Sequence, residues 1–254
     1  MVWKKTAKKL AKKMTDYFKG AGFENAVVGL SGGLDSSTTA YLAAEALGEQ
    51  HVFGVMLPSA ATRPIDMEHA LLVTRNLGID HYRFNISDLS HSLSSRLHGH
   101  GLLPQTDLSN GNMTARLRGI VLYNIAARRR ALVLGTGDRS ELLLGYFTKY
   151  GDGACDLLPL GSLYKTEVRK LAEALGVPRA IIAKPSSPSL WSGQTAESEL
   201  GASYEKIDGI LRLLFDGRMK PAAAAKKVSD RALLERVLLF HGRSRHKRQM
   251  PPIL

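Results

Sequence analysis

Val27, Val28, Gly29, Leu30, Ser31, Gly32, Gly33, Leu34, Asp35, Ser36 and Ser37 follow one another in the chain: an apolar run, a double glycine, then the opening of a helical pattern. This junction constrains the fold more than any other feature. Strand, glycine turn and helix N-terminus together bring backbone N–H groups close to an anion, and the helix dipole favours negative charge there. No lysine follows the glycines as in a Walker A loop, and the spacing is not the dinucleotide pattern GxGxxG. Ser36 is also a candidate helix cap, a role compatible with phosphate binding.

Around this junction the periodicity keeps switching. Short apolar runs at 26–30, 52–57, 81–86 and 131–134 alternate with longer helical patterns. One helical segment spans 36–47 and closes at Gly48; another opens at Pro64 and closes before Gly78. Strands separated by helices predict an α/β fold with a doubly wound parallel sheet and helices on both faces. Function is then expected in the loops at the C-terminal ends of the strands. Between residues 93 and 111 the apolar pattern lapses into Ser, His, Gly, Asn and Pro, predicting a long loop or mobile segment of the kind that forms lids. Beyond Gly135 the pattern predicts a short helix, an irregular Gly-rich stretch to Gly161, and helices near 165–175, 204–215, 221–228 and 230–240. With no internal repeat and no linker, residues 1–254 are expected to form a single domain.

A chain of 254 residues with 44% hydrophobic residues can bury one sizeable core. No run approaches the 18 apolar residues that a membrane helix needs. At the N-terminus Trp3, Ala7, Leu10, Ala11, Met14, Tyr17 and Phe18 recur at helical spacing while lysines fill the other face, so a surface helix ending at Gly20 is expected rather than a signal peptide. The lone Cys155 excludes an intramolecular disulfide framework and suits a reducing compartment, the cytoplasm. The net charge of +12 calls for a polyanionic partner, either nucleic acid or nucleotides. Much of the excess lies in the N-terminal lysines and in Arg243, Arg245, Lys247 and Arg248, although a charge run also serves as a solvated face.

The segment Ser31 to Ser37 resembles the SGGxDS loop of the N-type ATP pyrophosphatases, which cleave ATP between its α and β phosphates. Further motifs in order resemble the NAD synthetase family of that superfamily: Gly135, Thr136, Gly137, Asp138, Arg139, Ser140 and Glu141; then Gly145, Tyr146, Phe147, Thr148, Lys149, Tyr150, Gly151, Asp152 and Gly153; then Asp156 to Gly161, Leu163 to Thr166, and Leu190 to Thr195 with Glu199, Leu200, Gly201 and Tyr204. The resemblance implies an adenine nucleotide alpha-hydrolase-like fold. It implies amidation of deamido-NAD with ammonia, at the expense of ATP, through an acyl-adenylate that yields NAD, AMP and pyrophosphate. By position it implies an ATP site of Gly29, Leu30, Ser31, Gly32, Gly33, Leu34, Asp35, Ser36, Ser37, Thr136, Lys165 and Ser187. It implies Mg²⁺ on Asp35 and Glu141, and deamido-NAD contacts from Arg116, Lys149, Asp156, His246 and Lys247. Arg118, on the same helix as Arg116, is expected to be structural.

The family's enzymes are homodimers, which the resemblance carries over, with no nucleic-acid or membrane partner. Its glutamine-using members carry a large extra domain, and Cys155 lies among the synthetase motifs, so free ammonia is the expected nitrogen donor. His98 and His100 lack a Cys or carboxylate framework and are expected to be surface loop residues rather than metal ligands. The chain departs from the family pattern, which commonly has Asn-Lys at Asp138 and Arg139 and Asp at Ser189 and Ala196. Asp138 is expected to be an exposed helix cap, with an added metal-facing carboxylate as the alternative. A tRNA-thiolating or GMP-forming relative predicts a Cys cluster, a catalytic Cys pair or an RNA domain, none of which the sequence shows. A pure nucleic-acid-binding protein would have no use for an intact phosphate loop with Glu141.

Overall fold

A computed structural model describes residues 2–98, 106–191 and 193–253. Helix α1 (Val2–Ala21) precedes β1 (Asn25–Gly29), α2 (Leu34–Leu47), β2 (Val52–Met56), α3 (Pro64–Leu77), β3 (Asp80–Arg83), α4 (Ser87–His98), α5 (Asp107–Arg129) and β4 (Ala131–Leu134). There follow α6 (Arg139–Leu144), α7 (Lys165–Leu175), α8 (Arg179–Ile182), α9 (Ala196–Leu200), α10 (Tyr204–Leu211), α11 (Pro221–Ala224) and α12 (Arg231–Arg243).

The four strands pair in parallel in the order β3-β2-β1-β4, with Val27 beside both Phe53 and Val133. Their β-branched and apolar residues are buried on both sides, as a sheet covered on both faces requires. On one face Ala7, Ala11, Met14 and Phe18 of α1 pack with Leu42 of α2 and Leu171 of α7. On the other, Val27, Phe53, Val55 and Val133 pack against Ala126 of α5 and Ile86. The C-terminal helices form a further cluster in which Leu144 and Tyr164 meet Tyr204, Ile207, Leu211 and Val237. After β1 the chain winds outward through β2 and β3 and then returns to place β4 on the far side of β1. The order therefore reverses between β1 and β4, where an open α/β sheet leaves its crevice.

Three expectations change. Most of the stretch from 93 to 111 is helical: α4 runs to His98, and α5 begins at Asp107 behind a capping box in which Thr106 and Ser109 satisfy each other's backbone amides. A local cap overrides the weak apolar pattern there. Residues 99–105, His100 among them, and the His98 side chain lie outside what is described. The segment 204–215 is one α-helix only to Leu211 and continues as a π-turn, Arg212–Asp216. The segment 221–228 is helical only over Pro221–Ala224.

Candidate active site

The segment after β1 folds as its glycines dictate. Gly32 takes φ +68, and a Cβ on it would lie 1.9 Å from the Asp66 carbonyl, so only glycine fits beneath α3. The turn is tied internally: the Ser31 amide donates to Ser36 Oγ at 3.3 Å, the Gly33 amide to Ser31 Oγ at 3.2 Å, and Ser37 Oγ to the Gly33 carbonyl at 2.7 Å. Ser36 thus holds the turn rather than capping α2, whose cap position is Gly33. The amides of Leu34, Asp35 and Ser36 have no acceptor among the described residues. A first helical turn with open donors is a ready anion site.

Beside this turn, in direct contact with Asp35, Lys165 opens α7 with its side chain fully buried. Its Nζ lies 2.7 Å from Asp35 Oδ2 and 2.8 Å from Glu141 Oε1, with Asp138 Oδ2 at 3.0 Å as an ion pair without hydrogen-bond alignment. Burial disfavours the ammonium, but Asp138, Asp35 and Glu141 outweigh it and hold the pKa well above its ordinary value. Burial, reinforced by Asp138 and Asp35 against Lys165, pushes the Glu141 carboxyl up. Asp138 does cap α6, accepting from the Glu141 amide at 2.9 Å. It is not exposed, however: its side chain is wholly buried against Lys165. That contact spans most of the distance from α6 to α7 in sequence, which a local capping pattern does not reveal.

The start of α7 is sealed from behind. Ser140 Oγ accepts from the Lys165 amide at 3.0 Å and donates to Asp208 Oδ1 at 2.6 Å, while Asp208 Oδ2 accepts from the Thr166 amide at 2.9 Å. Asp208 comes from α10, so the C-terminal helices fix where Lys165 and Glu141 stand. Sequence reasoning missed it, because an isolated Asp in an amphipathic helix carries no local signal.

The turn and Glu141 border a cavity of about 600 Å³. Gly29, Leu30, Ser31, Gly33, Leu34, Asp35, Ser36, Thr136, Glu141 and Ser187 line it. Gly32, Ser37 and Lys165 do not reach its surface directly; Gly32 and Ser37 support the turn, and Lys165 stands behind Asp35 and Glu141. Lys184 and Asp66 also line it, and their link was not read from sequence: Lys184 Nζ donates to the Gly32 carbonyl at 2.6 Å and to Asp66 Oδ1 at 2.7 Å.

The other expected contacts divide. Lys247 lines the cavity and donates to the Gly145 and Phe147 carbonyls at 2.8 and 2.6 Å, leaving one N–H over. Lys149 and His246 instead line a neighbouring hollow of about 360 Å³, where Lys149 Nζ donates to the His246 carbonyl at 2.9 Å. Arg116 is exposed and donates to the Lys149 carbonyl at 3.3 Å, whereas Arg118, expected to be structural, lines the main cavity. Asp156 lines neither; its carboxylate accepts from the Val133 amide at 2.8 Å and from the Tyr123 hydroxyl at 3.1 Å. Burial pushes the Cys155 thiol up to about 11, which leaves it protonated and poorly nucleophilic at neutral pH.

The donor set suits a hard divalent cation. Asp35 Oδ1 is buried with no hydrogen-bond partner, facing the same space as Glu141. Among the described residues no group of three or more His, Cys, Asp or Glu side chains forms a metal cage of its own. Two carboxylates beside a phosphate site match the way Mg²⁺ is held, by few protein oxygens and by phosphates.

Comparison with known proteins gives one family. The NAD synthase family model matches residues 6–251. The NH(3)-dependent NAD(+) synthetase of Hyperthermus butylicus is 48% identical over 93% of this chain and 85% of its own length. Among solved structures, an NMN synthetase from Francisella tularensis superposes with a TM-score of 0.87 at 36% identity, covering 99% of this chain and 98% of its own. An NH3-dependent NAD synthetase from Campylobacter jejuni superposes with a TM-score of 0.83 at 31% identity, over 100% of this chain and 99% of its own.

Proposed function

This chain belongs to the NAD synthase family, and we propose that it performs the ATP-dependent amidation of deamido-NAD with ammonia through an acyl-adenylate formed in the cavity that the phosphate turn and Glu141 line. The observation that carries this reading is the placement of three open amides, at Leu34, Asp35 and Ser36, beside a buried ammonium held by Asp35 and Glu141.

A carboxylate is a poor acylating agent because oxide is a poor leaving group. Transfer of AMP onto it supplies a good one. The turn from Ser31 to Ser37 receives the departing pyrophosphate through its amides and hydroxyls, and the Lys165 ammonium stabilises the charge that develops as the bond to the α-phosphorus breaks. Asp35 and Glu141 would hold Mg²⁺, which would neutralise charge on the phosphates when bound. Thr136 and Ser187 orient the nucleotide from the β4 side and from the 184–191 segment. Lys149, His246 and Lys247 hold the dinucleotide, with Arg116 flanking Lys149. The half-buried apolar wall of the cavity, including Leu122 and Trp191, excludes water from the intermediate until ammonia attacks. No protein nucleophile is needed, in keeping with the protonated Cys155.

The test is direct. Protein incubated with Mg-ATP, deamido-NAD and ammonium should yield NAD, AMP and pyrophosphate, and release of ADP would sink the adenylation step. Because one close structural neighbour is an NMN synthetase, nicotinic acid mononucleotide belongs in the same assay; faster turnover of it would move the substrate assignment.

The chain works as a homodimer in this reading. Leu89, Leu93 and Leu97 are exposed at successive helical turns of α4, and Leu108, Ile120 and Tyr123 are exposed on α5. An apolar stripe of that kind on adjoining helices marks an interface. Light scattering at assay concentration should give twice the chain mass of 27.7 kDa; a fully active monomer would count against it. No helix among the described residues is long and apolar enough to cross a membrane, and with its lone cysteine the chain is assigned to the cytoplasm.

The dinucleotide contacts near the C-terminal turn have their own expected result. Replacing His246 and Lys247 together by alanine should raise the KM for deamido-NAD about 10- to 150-fold, the value of a lost charged hydrogen bond, and that for ATP far less. Equal changes in both constants would withdraw the pair from the dinucleotide site.

A further inference from the structure

Arg118 carries a charge to which the described residues give no close counterion. It projects from α5 onto the cavity wall and is half-buried. Nε donates to the Leu57 carbonyl at 3.2 Å and Nη2 to the Ser59 hydroxyl at 3.3 Å. Among the described residues no carboxylate lies within 4.0 Å of the guanidinium, and Nη1 has no acceptor. A guanidinium remains charged at any pH a folded protein meets. Withdrawing it from water onto two neutral acceptors is unfavourable unless an anion completes the set. Burial accordingly pulls its pKa down, and Asp152, beyond ion-pair distance, opposes this.

The neighbourhood says which substrate brings the anion. The phosphate turn is already served by Lys165 and Lys184. Arg118 stands instead at the end of the cavity where Asp152 also acts on Lys247. We propose that Arg118 is a substrate-binding residue whose free Nη1 receives an anionic oxygen of deamido-NAD, from either its carboxylate or its phosphates. This rests on the dinucleotide reading given above.

Calorimetric titration of the parent protein and of Arg118→Met with deamido-NAD, NAD and ATP in turn tests it without reliance on turnover. The variant should bind deamido-NAD about 10- to 150-fold more weakly and ATP as the parent does. Its Tm should be unchanged or higher, since removing a poorly paired charge strands no counter-charge, only the neutral Leu57 carbonyl and Ser59 hydroxyl. If NAD binding is unaffected, the oxygen belongs to the carboxylate; if NAD weakens equally, it belongs to the phosphates. Arg118→Lys, which keeps the charge without the planar fork, should fall between the two and serves if the Met variant does not fold. Unchanged affinity for deamido-NAD together with a lowered Tm would make Arg118 purely structural, and weakening of ATP alone would place it in the other subsite; either overturns the proposal. A parent protein that does not bind deamido-NAD would overturn the substrate reading first and this inference with it.

Discussion

Lys165→Met should abolish turnover and also lower stability, and the two losses should be separable. The ammonium it removes is the shared partner of Asp35, Asp138 and Glu141 at 2.7, 3.0 and 2.8 Å. Losing a group that stabilises developing charge in an enclosed site costs about 10²- to 10³-fold in rate. Three carboxylates left around a buried apolar group add a stability cost of about 3 to 5 kcal/mol, the usual result of breaking a buried ion pair from one side. Asp138→Asn in the same chain keeps the α6 cap, because Asn caps as well as Asp, and removes one of the stranded charges. Thermal melting of this double variant should recover much of the lost stability while AMP release stays near zero. A Lys165→Met protein that turns over within about tenfold of the parent would remove Lys165 from the chemistry.

Gly32→Ala should disable the phosphate turn. Two constraints act together there. The left-handed φ of +68 costs an alanine about 1 to 2 kcal/mol, and its Cβ would be driven to 1.9 Å from the Asp66 carbonyl. The turn cannot swing away to relieve the clash. Asp66 is held by Arg63 at 3.0 and 2.9 Å, and Lys184 ties that same carboxylate to the Gly32 carbonyl. Calorimetry should therefore detect no ATP binding at concentrations that saturate the parent. Normal ATP affinity in Gly32→Ala would show that the turn is not the phosphate site.

What the sequence made legible was local. The phosphate turn, the four strands, α3 between Pro64 and Gly78, and α7 from Lys165 to Leu175 all announce themselves through periodicity and punctuation within a few residues. What it hid was contact between distant segments. The bond from Lys184 to Gly32 spans 152 residues and that from Lys165 to Asp35 spans 130, and no pattern in either segment encodes the other. Asp138 was expected at the surface because capping is visible locally and burial against Lys165 is not. Arg116 and Arg118 are two residues apart, so they project about 200° apart around α5. The family resemblance favoured the first for binding, whereas the fold turns the second into the cavity.

The two helix starts that meet where Lys165 touches Asp35 differ in one respect. α2 leaves its first amides open, but α7 has none to spare: the Tyr164 amide donates to Glu167 Oε2, Lys165 to Ser140, Thr166 to Asp208 and Glu167 to the Tyr164 carbonyl. Helix ends normally fray because such donors are satisfied by water. A first turn with every donor occupied resists fraying, so the ammonium of Lys165 is preorganised before any nucleotide arrives. The ordering entropy of that half of the site is spent once, during folding, and does not recur with each catalytic cycle.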